Sequence, residues 1–534
     1  HAQGKRGQGV RVAVIDGDFR GFEKLKGKGL PATTRYVDFT AERNPTIIPD
    51  PFPGDPQGIG QGTQLAQALA LAAPEASLTL IRIDPNSPHQ VVAAALLIRG
   101  YAFRSDSLTQ RDDELTFEKA RLRTRREDLR QERQAVLDNF RQDEELDREI
   151  VERRKAYFKK LAELEADERA YQQELEHFIR TMEDERALKG IQVVACSLIW
   201  NEGYPLGGAS ALSRFFNDTP NASTLWLVPA GNQRGQAWAG PFQDVDGNGV
   251  MEFASPDSSL RADRWTRELN FLAWQPFANT RSLDLPAKAI IRISIQWQEV
   301  HDPEFALHGD DLYQEPLAKL GLVVLRQRDP SGNQLPADDM ELVARSEGPP
   351  LRIENRPDAG VYEQVVEFSV PAAGRYALRV EGQVHPGTRP PTAPSLPGIE
   401  KSWELQPRVF VDVVNDPLKL AGRPIWLDYA TDLGTIGTAG DAHGLITLGA
   451  ADSAGNPESF SSPGPPLYLE LLTKPDALAL SQLQFQAGGP IAFGSGVATA
   501  FAAGQAAVLV GDHMPLIQVE ALFRWQRGKL LRLP

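Results

Sequence analysis

Four stretches of the chain are apolar almost without interruption: Val10–Ile15, Ser77–Ile83, Ile191–Leu198 and Thr224–Ala230. Strands buried on both faces read this way, so the pattern predicts the core of a mostly parallel sheet. Asp16-Gly17 closes the first strand. Near the other end of the chain, a glycine turn at Gly494-Ser495-Gly496 runs into a helix. Its small residues recur at Ala498, Ala502, Ala503, Ala506 and Ala507. A helix so built packs close to a sheet and is buried on all sides. A second helix follows Gly60-Gln61-Gly62 and ends at Ala73-Pro74.

Two regions keep other periods. Between Tyr101 and Lys189 there is neither Gly nor Pro, and Leu108, Leu115, Leu122, Leu129 and Val136 recur every seven residues. Further on, Tyr157, Leu161, Leu164, Glu168, Tyr171, Leu175, Phe178 and Met182 alternate steps of four and three. That is a heptad seam on two helices, with the turn expected at Arg141–Asp147. Each arm of about 35–40 residues would be on the order of 50–60 Å long. From about Ser255 to Asn415 the period is two, as at Ile291, Ile293, Ile295 and Trp297, or Tyr376, Leu378 and Val380. Alternation broken by Pro and Gly predicts an antiparallel β-sandwich.

Composition narrows the classes. The chain has 534 residues and net charge −14, which does not favour nucleic-acid binding. The heptad region holds 20 Lys/Arg against 24 Asp/Glu, so it presents no basic face for a membrane surface either. No apolar run approaches the roughly 18–20 residues of a membrane span. Cys196 is the single cysteine, which rules out an intrachain disulfide and fits a core position. His1 stands almost directly before a core strand, and the chain reads as a mature or trimmed form.

The segments that carry chemistry resemble those of the subtilisin-like serine proteases. Val-Ala-Val-Ile-Asp-Gly looks like the family's first triad segment, with Asp16 at the aspartate. Gly60-Gln-Gly-Thr-Gln-Leu-Ala66, a helix, Ala73-Pro-Glu-Ala76 and a strand follow the order of the histidine segment. Val-Pro-Ala-Gly231-Asn232 is similar to the segment whose Asn donates to the oxyanion, and Gly494, Ala498 and Gly504 match the nucleophile segment. Leu445–Ala450, Ser459–Gly464 and Lys474-Pro475-Asp476 look like three further family segments. The resemblance implies an α/β fold, a subtilisin-like mostly parallel sheet flanked by helices. Because that body resumes at Ile191, the heptad region becomes an inserted antiparallel coiled-coil hairpin. The expected organisation is body at 1–102, hairpin at 103–189, body at 190–254, inserted β-sandwich at 255–414 and body at 415–534. Accessory sandwiches of this kind occur in secreted bacterial subtilases, so the expected location is secreted or periplasmic rather than cytoplasmic.

The resemblance also exposes two losses. Gln61 stands in the histidine place, and an amide cannot take up and return a proton as a general base. Gly496 stands in the nucleophile place and has no side chain to acylate. Asp16 and Asn232 remain. His89 and His443 are nearest in sequence to the motif segments and read as surface residues. The expectation is a pseudoprotease, inert as an enzyme, that binds a protein partner through the hairpin, sandwich or vestigial cleft, with a peptide as a candidate occupant of that cleft. The alternative is an active hydrolase with a non-standard centre, using Ser495, whose hydroxyl sits one residue early. Finally, Asp244, Asp246, Asn248 and Glu252 follow the front half of a calcium loop, although Ser255 takes the twelfth place. Calcium is the one expected cofactor.

Overall fold

The computed structural model describes residues 6–40, 58–100, 114–115, 117–129, 132, 148–218, 223–253, 267–277, 280–282, 284–300, 316, 318–328, 339–355, 359–384, 405–415, 425–467, 472–485 and 491–531. They form two compact units, one of His1–Val92 with Gln192–Pro534 and the other of Ala93–Ile191.

The first unit is built on a seven-stranded parallel sheet. Its strands are β1 (Arg11–Asp16), β2 (Arg35–Asp38), β3 (Ser77–Arg82), β4 (Val193–Cys196), β5 (Leu225–Pro229), β6 (Ile446–Ala451) and β7 (Ala477–Leu480). They lie side by side in the order β7-β6-β5-β4-β1-β3-β2. In register, Val14 stands between Leu80 and Ala195, and Leu227 pairs with Ile446. The four continuous apolar runs thus become four adjacent central strands. Val12, Val14, Leu80, Val193 and Leu227 are fully enclosed.

Two helices cover the sheet where the site will form. The helix Gln61–Ala72 and the helix Ser495–Gly511 lie against each other. Their contact depends on small residues: a Cβ on Gly504 would come within 2.5 Å of the Leu69 carbonyl oxygen. Ala498, Ala502, Ala503, Ala506 and Ala507 have no exposed surface, as their spacing predicts.

Two antiparallel sheets belong to the same unit. One runs Leu351–Asn355, Ala359–Ser369, Ile290–Val300, Arg408–Asn415 and Ala237–Ala239. The other runs Met340–Arg345, Ala318–Gln327, Gly374–Val384, Asn270–Phe277 and Ile425–Leu427, with two short strands alongside. Ile291, Ile293, Ile295 and Trp297 of the first share one core with Leu320, Leu322, Tyr376, Leu378 and Val380 of the second. The limits expected at 255 and 414 need correction. Ala237–Ala239 and Ile425–Leu427 hydrogen-bond into these sheets from outside those limits. Three-residue strands carry no period, so they escape a pattern reading.

In the second unit, Arg148–Leu188 is one helix of 41 residues, about 60 Å at 1.5 Å per residue. Residues 117–129 are helical as well. Arg125 pairs with Asp167 at 2.5 Å, Arg126 with Glu168 at 3.3 Å and Glu132 with Lys160 at 2.9 Å. Arg125 and Arg126 pair at 167–168, whereas Glu132, further along, pairs back at 160, so these segments run antiparallel. Leu122, Leu129 and Leu164 make a buried cluster flanked by Tyr157 and Tyr171. Leu108, Val136 and the expected turn Arg141–Asp147 lie outside the described residues, as do the side chains of Leu175, Phe178 and Met182.

Candidate functional site

Asp16 is the last residue of β1, at the end where the chain leaves the sheet. The turn after it is fixed from within: the Asp18 amide donates to Asp16 Oδ1 (2.9 Å), and Asp18 holds Arg20 in an ion pair of 2.8 Å. The same turn receives the start of the Gln61–Ala72 helix. The Gly62 amide donates to the Asp18 carbonyl (2.8 Å), and the Thr63 hydroxyl to that of Arg20 (2.9 Å). A Cβ on Gly62 would stand 2.8 Å from Asp16 Cβ, so only glycine lets the helix start sit this near the carboxylate. Gln61 is therefore carried to the side of Asp16 by its neighbours, and its own side chain is exposed.

Gly496 enters from the second helix. A Cβ placed on it would be 3.6 Å from Leu65 Cδ2, 3.8 Å from Ser197 Cβ and 3.9 Å from Gln61 Nε2. These are ordinary contact distances. The backbone at 496 has no left-handed torsion, in contrast to Gly494 at φ 118°. Hence a side chain would fit at 496 and would face Gln61 and Ser197.

Ser197 links these pieces. It follows β4, and parallel pairing of β4 with β1 puts it beside Asp16. Its amide donates to the Ile15 carbonyl (3.1 Å), its hydroxyl donates to Asp16 Oδ2, and its Oγ is 3.0 Å from the Ile15 carbonyl oxygen. Burial pushes the Asp16 carboxyl up to about 6, against the hydrogen bonds from Ser197 and the Asp18 amide, which hold it down. Sequence reading missed Ser197. The signal was the register itself, because the residue just past a strand parallel to β1 must reach the level of Asp16.

On the other side of the helix start, Asn232 follows Gly231 at the end of β5. Asn232 Oδ1 accepts the Ser495 amide (2.9 Å), and its Nδ2 would lie 3.1 Å from a Cβ on Gly494. Ser495 is turned inward. It is 2% exposed and its Oγ accepts the Gly231 amide (3.2 Å), so the hydroxyl one residue early serves the packing of the turn. Asp16, Gln61 and Gly496 are thus joined through Gly62 and Ser197, while Asn232 is tied to the residue preceding Gly496. His89 and His443 are exposed. Burial drives the Cys196 thiol up to about 12, which makes it an inert core group.

The acidic loop is held by its own hydrogen bonds. Asp244 Oδ1 and Oδ2 accept the amides of Asn248 (3.0 Å) and Gly249 (2.9 Å), and Asp246 Oδ1 also accepts that of Asn248 (3.1 Å). Asn248 Oδ1 accepts Val250, while its Nδ2 donates to Glu268. Glu252 is buried, 4.0 Å from Arg267. Among the described residues no three His, Cys, Asp or Glu side chains converge as a metal site would require. The oxygens that suggested ligands close the turn on itself, as Asx side chains do.

No family model matches the chain, and no curated protein matches it. Among solved structures, the CspB protease of Clostridium perfringens is similar with a TM-score of 0.42 and 12% identity, over 95% of this chain and 82% of that one.

Proposed function

We propose that this chain is a subtilisin-like pseudoprotease, inert towards peptide bonds and acting as a protein-binding scaffold. The observation that carries this reading is the spot beside Gly496. Position 496 has room for a side chain, and the groups around that space are Leu65, Ser197 and the Gln61 amide, none of which is a general base. Asp16 is capped by Ser197. A nucleophile and a base are both needed to start acyl transfer, and neither Gly496 nor Gln61 can supply one. Ser495, the alternative nucleophile, has its hydroxyl buried against Gly231.

The heptad segments are read here as an antiparallel coiled-coil hairpin inserted in the body, and the two antiparallel sheets as a β-sandwich. The hairpin supplies the partner surface. Two aromatic residues support this: Phe117 is 72% exposed and Phe158 is 52% exposed. Aromatic side chains of this kind are enriched in protein–protein interfaces.

The test is chemical. The protein should form no adduct with a serine-directed fluorophosphonate and should not cleave unfolded protein substrates. The double variant Gln61→His with Gly496→Ser should gain a trace of labelling, and each single variant none, because base and nucleophile act as a unit. Cleavage by the unaltered protein that is abolished by Ser495→Ala would establish the hydrolase reading instead.

A further inference from the structure

Four residues beyond Ser197, the 201–206 segment leaves the parallel sheet and is held by one antiparallel sheet. Arg408, 1% exposed, donates from Nη1 to the Asn201 carbonyl (2.8 Å) and from Nε to that of Gly434 (2.7 Å). Both Glu363 oxygens accept the Gly203 amide, at 3.0 and 3.1 Å. The Gln296 side chain donates to the Tyr204 carbonyl (3.0 Å) and accepts the Leu206 amide (3.1 Å). Just ahead of the segment, Trp200 pairs with Thr438, and its indole donates to the Pro85 carbonyl at 2.6 Å.

Within this well-bonded seam, one carboxylate is poorly provided for. Glu202 Oε1 is buried and has no hydrogen-bond partner. Its Oε2 is 3.6 Å from Arg292 Nη1, while Arg292 Nη2 and Nε are engaged by Glu367 at 2.7 and 3.0 Å. The charged groups facing Glu202 are Arg292 on the strand Ile290–Val300, Glu363 on Ala359–Ser369, and Arg408 with the exposed Asp412 on Arg408–Asn415. Two further carboxylates stand against Arg292, shared with Glu367, and Arg408, engaged by two backbone carbonyls, which leaves an ionised Glu202 badly compensated.

We infer that the 201–206 segment is a pH-gated clasp, which the antiparallel sheet holds shut on the acid side and releases on the alkaline side of neutrality. Burial, the largest cause, together with Asp412 and Glu363, raises the Glu202 carboxyl to about 7, while Arg292 and Arg408 oppose the rise. The sign follows from linkage. The closed form binds the proton more tightly than the open one, so its advantage is full below the ordinary value of 4.5 and is lost as pH rises through about 7. Because the segment continues the strand that brings Ser197 to Asp16, opening it frees the chain just beyond Ser197 while the parallel sheet stays intact.

Hydrogen exchange on the full chain reads this directly. After correction for intrinsic rates, protection of the Gly203 and Leu206 amides should fall about tenfold from pH 6 to pH 8, with protection at Val194 unchanged. In Glu202→Gln the profile should be flat. In Glu363→Gln, Gly203 should lose protection at both pH values, while Leu206 keeps a fall in the same direction but smaller than tenfold, because one charge that raises Glu202 is gone. Flat protection in the unaltered protein, an equal fall at Val194, or an unchanged fall in Glu202→Gln would each overturn the clasp.

Discussion

Two buried aspartates of this fold invite comparison. Asp16 and Asp441 are both pushed up to about 6, chiefly by burial, and each accepts a serine hydroxyl and backbone amides. For Asp441 these come from Ser213 (2.7 Å) and Gly208 (2.8 Å), with Ser210 donating in turn to Ser213. Around Asp441 everything is closed. Lys474, fully buried, exerts a compensating charge on it and donates to Asp476 and to the Leu445 carbonyl, both at 2.7 Å. Asp476 also accepts the Thr447 amide and Arg524. Beside Asp16, by contrast, Gln61 is exposed and Gly496 has no side chain to fill the space next to it. A displaced carboxyl pKa is common to both places, so it does not mark chemistry by itself. What separates them is room for another group.

The comparison breaks most sharply at Lys474. Replacing it by Met should cost about 3–5 kcal/mol, since Asp476 would lose the buried cation on its Oδ2 and keep only the half-buried Arg524 on Oδ1. Gln61→Ala, next to the other aspartate, should change stability by less than about 0.5 kcal/mol. Urea denaturation midpoints measure both, and a mild Lys474→Met would show that the closed network tolerates an orphaned charge.

Asp16 itself gives the next effect. The native state holds the Asp16 proton more tightly than the unfolded chain, whose value is near 3.8. The stability this confers is present below that value and lost as pH rises through about 6. Asp16→Asn carries no such loss, and Ser197 can turn its proton to the Ile15 carbonyl. The variant should thus gain about 2–3 kcal/mol over the unaltered protein at pH 7 and only about 0.5 kcal/mol at pH 4. Equal pH profiles of the melting temperature would show that Asp16 is hydrated.

The smallest pair concerns two glycines on one helix. Gly504→Ala should cost about 1–3 kcal/mol, because its methyl would strike the Leu69 carbonyl. Gly496→Ala should lie within about 0.5 kcal/mol of the unaltered protein. If both are costly, position 496 is glycine for packing and the argument from unused space fails.

The central sheet was legible because strands buried on both faces are continuous apolar runs, and β1, β3, β4 and β5 each came from one. Asp16 and Gly496 were legible because each sits where such an element stops or starts. Ser197 was not, since its meaning depends on the register of two strands 181 residues apart. The same holds for Glu202, whose partners Arg292, Glu363 and Arg408 lie on three later strands. The acidic loop reads two ways from sequence, because Asp and Asn at alternate positions suit an Asx turn as well as a cation. Pattern gives the elements, while pairings between distant elements fix what their polar ends do.

The position of the Ser495–Gly511 helix also sets a schedule. It packs on a helix that begins at Gln61, and the strands β6 and β7 beside it are late in the chain too. During synthesis at about 5–20 residues per second, the early strands and the Gln61 helix wait on the order of tens of seconds for the segment that covers them. Through that interval the Leu65 and Leu69 face is bare. A nascent chain is therefore expected to be a client for chaperones until the Ser495 segment emerges, and a chain truncated before Ser495 is expected to aggregate rather than give a smaller folded body.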